Sequence, residues 1–113
     1  MAEPSRGDIW AVDLDPARGH EQAGRRPALV ISVDLFNHGP AERVVLLPIT
    51  SKAKGIPLHV CVAPPEGGLK TVSYVKCEDI RSVSKQRLAK YLGRVLPQTM
   101  HEVEERLTVL LGM

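Results

Sequence analysis

The side chains best suited to chemistry in this 113-residue chain lie in two polar segments, each beside a strongly apolar run. The first, HEQAGRR at positions 20–26, leads directly into PALVISVDL at 27–35, so its groups sit at the lip of what reads as a rigid strand. It brings the Glu21 carboxylate and the Arg25 and Arg26 guanidiniums close together in sequence. The planar fork of arginine matches phosphate. A surface salt bridge from Glu21 to either arginine would account for the same residues without any chemistry. The second segment, Thr50-Ser51-Lys52 with Lys54, leaves the run LLPI and supplies hydroxyl donors and two cations. Its bland alternative is a turn after Pro48. Further on, Arg81, Lys85, Arg87, Lys90 and Arg94 follow one another with no acid between them, which suits a polyanion or a solvated face.

Other chemistries find no support. His20, His38, His59 and His101 are scattered without the spacing of a zinc site. No GxGxxG, GxxxxGK[ST] or GxSxG pattern occurs. Cys61, between Val60 and Val62, is expected to be a buried, inert thiol, and Cys77 beside Lys76 is not expected to be reactive. No metal or cofactor is implied.

The elements that must position these groups are short. Apolar residues make up 43% of the chain and charged residues 25%, with a net charge of +2, which is ordinary for one globular domain and excludes disorder as its main state. Residues 1–113 are read as one domain. No apolar run approaches the ~18–20 residues that span a bilayer, and MAEPSRGDIW has no apolar core for a signal peptide. A cytoplasmic location, no membrane association and reduced cysteines are therefore expected. Strands are expected at 8–14, 27–35, 44–49, 58–62, 72–76, 80–83 and 92–95, the fourth and fifth joined by PPEGG. A helical turn is expected around 84–90. Met100, Val103, Leu107, Leu110 and Leu111 share one face of a closing helix, with Thr99 and Glu102 as a capping box and Gly112 as its stop. The fold class is mainly β with short helices: a small, strongly bent sheet or barrel with an amphipathic C-terminal helix.

RGDIWAVDLDPARGHEQAGRRPALVIS resembles the N-terminal signature of the MazF/PemK toxins, the ribosome-independent mRNA interferases of type II toxin–antitoxin modules. The likeness continues through LLPITSK, VSYVKCEDIRSVSKQRL and HEVEERLTVLLG, nearly the whole chain. It implies an SH3-like small β-barrel acting as a homodimer, a single-stranded RNA substrate, a MazE-like antitoxin partner, and metal-independent cleavage. It also implies attack by the ribose 2′-hydroxyl, leaving a 2′,3′-cyclic phosphate and a 5′-hydroxyl. On this resemblance Arg26, Thr50 and Glu21 are the catalytic candidates. Arg25, Ser51, Lys52, Lys54, Asp79, Arg81 and His20 are the RNA-binding ones. Arg26 suits the non-bridging oxygens, Thr50 can donate to them, and Glu21 can take the 2′ proton.

Two positions depart from the family pattern. Asp79 stands where an amide is frequent, and an ionised carboxylate cannot donate, so base choice is expected to change. His20 replaces a residue that is usually small; it is either a bystander or a group that helps titrate the site. Two other functions compete with the nuclease: a non-enzymatic toxin of the same fold that poisons DNA gyrase, and a nucleic-acid-binding barrel without catalysis. The Arg26–Thr50 pair speaks against the first. The scarcity of aromatics (Trp10, Phe36, Tyr74 and Tyr91) speaks against a stacking platform.

Overall fold

The computed structural model describes residues 3–14 and 24–113. Seven strands run β1 (Asp8–Asp13), β2 (Arg25–Val30), β3 (Arg43–Thr50), β4 (His59–Val62), β5 (Ser73–Lys76), β6 (Arg81–Ser84) and β7 (Leu88–Arg94). Two α-helices, α1 (Asp34–Asn37) and α2 (Pro97–Leu111), complete them. The pairing is antiparallel throughout, in the order β4-β5-β3-β2-β1-β7, with β6 also on β3. The sheet curls into a roughly barrel-like shape without closing.

The unbroken apolar character of β1 to β3 follows from burial on both faces. Ile9, Leu29, Leu47 and Ile49 pack into one core with Val60, Val75 and Val103. Their neighbours Trp10, Ala28, Val30 and Leu46 pack into a second core with Val83 and Leu88. Each of these strands therefore supplies two layers through simple alternation.

β3 has one long edge on β2 and divides the other between two partners. Its first half, Arg43–Leu46, pairs with β6, and its end, Ile49–Thr50, pairs with β5. The change falls around Leu47 and Pro48, where proline has no N–H to continue a ladder. The gap between the edge strand β7 and the β4–β5 hairpin is filled by a 3-10 turn, Glu66–Gly68, laid against β7. A β-carbon on Gly68 would lie 2.0 Å from the Leu92 carbonyl oxygen, and one on Gly93 would lie 2.6 Å from the Gly67 carbonyl carbon. Backbone meets backbone there.

Several expectations require correction. The strand expected over 27–35 ends at Val30, because the buried Asn37 turns the chain back. Its amide donates to the Ser32 carbonyl at 2.8 Å, while the Ser32 hydroxyl bonds the Asn37 side chain. The helical turn expected over 84–90 shrinks to a 3-10 turn, Lys85–Arg87, and β7 begins at Leu88, well before the expected 92. Thr99 and Glu102 form no capping box: α2 starts at Pro97, whose fixed φ suits the first helical position. The Glu66 carboxylate instead accepts from the Leu96 N–H at 2.9 Å and from the Thr99 hydroxyl, a cap supplied by the loop between β4 and β5. Gly112 does stop the helix, in the left-handed conformation. Val103 is buried, Met100 and Leu107 pack against the core, and Leu110 and Leu111 are exposed. Among the described residues no helix is long and apolar enough to cross a membrane.

Candidate active site

Arg26 on β2 and Thr50 on β3 lie at the ends of two paired strands and line one cleft. In the β2–β3 ladder Ala28 lies opposite Pro48, Leu29 opposite Leu47 and Val30 opposite Leu46. The paired ladder ends there, and the same register continued two residues points Arg26 toward Thr50. Both residues line one cleft of about 510 Å³. Alternation along β2 turns neighbouring side chains to opposite faces, which separates Arg25 from Arg26; Arg25 is exposed, lies opposite Asp13 and is not among the cleft's lining residues.

Ser51, Lys52 and Lys54 extend the cleft beyond Thr50, and the opposite wall carries Lys70, Thr71, Ser73 and Lys76. Among the described residues the lining holds one guanidinium, four ammonium groups and four hydroxyls, with no carboxylate. Like charges gathered over a low-dielectric wall concentrate a positive field, which draws a polyanion. The Thr50 oxygen accepts the Lys52 N–H at 3.2 Å, which fixes the hydroxyl and leaves its proton to donate.

Asp79 and Arg81 lie elsewhere. The Arg81 guanidinium donates to both carboxylate oxygens of Asp79, Nε at 3.2 Å and Nη2 at 3.1 Å. Arg81 also lines a second groove of about 500 Å³ together with Arg43 and Arg87. Among the described residues, Asp79 reaches the first cleft through Lys76, whose Nζ is 3.6 Å from its carboxylate. Glu21 and His20 fall outside the described residues.

Sequence reasoning missed the whole β5 wall. Lys70 and Thr71 follow an unremarkable loop, and Lys76 drew notice only as a neighbour of Cys77. Nothing in the spacing of residues 50 and 74 announces that β3 and β5 are neighbours. Of the two thiols, Cys61 needs revision, and Cys77 is unreactive as expected. Cys61 is exposed, because β4 is an edge strand that turns Val60 and Val62 inward and the residue between them outward. Cys77 is buried; burial, and then the charge of Glu78, push its pKa up to about 11, so it stays protonated at neutral pH.

Residues 5–111 match the PemK-like, MazF-like toxin family of type II toxin–antitoxin systems. The chain belongs to this family. It is 38% identical over 114 residues to endoribonuclease MazF9 of Mycobacterium tuberculosis, covering 96% of each chain. It is 33% identical to endoribonuclease EndoA of Bacillus subtilis, covering 96% of this chain and 94% of that one. Among solved structures, MazF of Deinococcus radiodurans superposes with a TM-score of 0.88 at 33% identity over the full length of both chains. A mycobacterial endoribonuclease in complex with its cognate antitoxin superposes at 0.80 with 29% identity, covering 100% of this chain and 97% of that one. The strand-rich, helix-terminated reading of the sequence is thus the MazF fold.

Proposed function

We propose that this MazF-like toxin is a sequence-specific, ribosome-independent endoribonuclease that cuts single-stranded mRNA in the cytoplasm, with residues 1–113 acting as one domain. The observation that carries the reading is the convergence of Arg26 and Thr50 on one cation-lined cleft. The names of the curated relatives support it. In the proposed reaction the ribose 2′-oxygen loses its proton and bonds to phosphorus. The bond from phosphorus to the 5′-oxygen breaks, and that oxygen takes up a proton, leaving a 2′,3′-cyclic phosphate and a 5′-hydroxyl.

The chain's own residues serve the charge that grows on the phosphoryl oxygens. Arg26 can place two N–H donors on them, and Thr50 can add a hydroxyl donor from the facing strand. Such donors are fixed before the reaction begins, so no reorganisation is needed as charge develops. Glu21 is proposed as the group that takes the 2′ proton. The nucleophile and leaving group both belong to the RNA, so neither a metal nor a covalent enzyme intermediate is required. The test is incubation of purified protein with a long RNA in EDTA, followed by primer extension to map new 5′ ends. Discrete cuts at a recurring short sequence are expected; uncut RNA would reject the reading.

We further propose a homodimer neutralised by a MazE-like antitoxin whose acidic segment competes with RNA for the cleft. A chain this small leaves much apolar surface outside, as at Leu35, Val109 and Leu111, so dimerisation would add stability. A carboxylate-rich peptide can occupy the field of Arg26, Lys52 and Lys54. Light scattering should give about twice the 12.4 kDa of the chain. Titrating the antitoxin's acidic segment should raise the apparent KM for a short RNA at constant maximal rate. A monomeric active species would remove the dimer, and a fall in maximal rate at constant KM would remove the competition.

A further inference from the structure

We infer that Lys76 is an RNA-contacting residue that binds a backbone phosphate in the Arg26–Thr50 cleft, an inference that rests on the cleft being the RNA site. Lys76 is only 8% exposed, yet it lines that cleft. A buried ammonium is costly unless it is paired and hydrogen-bonded. Among the described residues the acid paired with it is Asp79, at 3.6 Å, which is too far for a hydrogen bond. Asp79 is moreover already engaged by the two-pronged Arg81 guanidinium. Two cations therefore share one anion, all three side chains being largely buried. Arg81 has the better geometry. Lys76 is left as the less well-paired of the two cations, and it lines the cleft.

Its position defines the ligand. Thr50 lies opposite Tyr74 in the β3–β5 ladder, so Lys76 is its diagonal neighbour. Diagonal pairs are ~7–8 Å apart, a span that a lysine covers. An oxygen anion within reach of Thr50 is thus within reach of Lys76. In a single-stranded RNA the anions available are its phosphates.

The test measures binding of a cleaved oligonucleotide whose 2′-hydroxyls are methylated, as a function of salt. Each phosphate contact on a single strand contributes about 0.7 to the slope of log K against log salt. Lys76→Met keeps the stem and deletes the charge; it should lower the slope by about 0.7 and weaken low-salt binding roughly fivefold. Lys76→Arg should keep the parent slope. If Lys76→Met does not fold, Lys76→Gln deletes the same charge with a polar tip. An unchanged slope in a folded, charge-deleted variant would overturn the inference. Arg26→Ala separates it from the underlying reading: RNA cleavage at the parental rate in that variant would reject the cleft as the site. A lost cleavage with an intact Lys76→Met slope would reject Lys76 alone.

Discussion

Arg26→Ala should lower the single-turnover cleavage rate by about 10²–10³-fold, the loss found when one preorganised donor to a developing oxyanion is removed. Thr50→Ala should cost a similar factor, since it removes the donor from the opposite strand. Neither change should unfold the protein. Arg26 is exposed at the start of β2 and Thr50 is half-buried at the end of β3, so neither fills the core. Arg26→Lys makes the test sharper: it keeps the charge and loses the fork, so recovery should be partial. Circular dichroism reports the fold, and quenched-flow or gel assays with excess protein report the rate. A parental rate in a folded Arg26→Ala or Thr50→Ala variant would sink the assignment. Glu21→Gln should have a smaller effect that varies with pH, as expected for a carboxylate that takes a proton. A loss as large as that of Arg26→Ala would make Glu21 an essential base.

How much of this was legible beforehand depends on how local each signal is. The central strands could be read because Ile9, Trp10, Leu29 and Leu47 belong to strands buried on both faces, and an unbroken apolar run says so directly. The Arg26–Thr50 pair was legible through the family signature, and its physical reason is a register that only the fold displays. The strand end at Val30 was hidden because the apolar run continues through Ile31 and Val33. It is overruled by hydrogen bonds between Ser32 and Asn37, which no hydropathy pattern carries. The cap of α2 was hidden for a similar reason: its acceptor, Glu66, is distant in the chain. Cys61 was misplaced because a thiol between two valines looks the same in a central strand as in an edge strand. Lys76 was overlooked because its importance comes from the neighbours Thr50, Asp79 and Arg81, gathered by three separate strands and turns.

Gly93→Ala should be strongly destabilising through contact alone, at about 3 kcal/mol. The reason is the seam where the 3-10 turn lies on β7. An added β-carbon at Gly93 would stand 2.6 Å from the Gly67 carbonyl carbon and 2.8 Å from the Gly68 nitrogen. These are backbone atoms, so no side chain can rotate away, and overpacking against them has to move a strand or the turn. Gly68→Ala adds a second cost: its φ is +71°, where a side chain is strained by ~1–2 kcal/mol before any contact is counted. Gly112→Ala is the control. It has nearly the same φ, +69°, and nothing within 4 Å, so only that conformational cost remains. With a urea slope of roughly 1–3 kcal/mol/M for a small domain, Gly93→Ala should lower the unfolding midpoint by about 1–3 M, well beyond the shift for Gly112→Ala. The seam also bears on function. Gly68, Leu69 and Leu92 all line the cleft, so a turn forced off β7 carries Lys70 with it and widens the wall facing Thr50. Whatever Gly93→Ala protein stays folded at low temperature should therefore cut RNA more slowly than Gly112→Ala protein at equal folded fraction. Equal urea midpoints for the two variants would show that the turn yields without cost, and the seam could no longer be held responsible for fixing that wall.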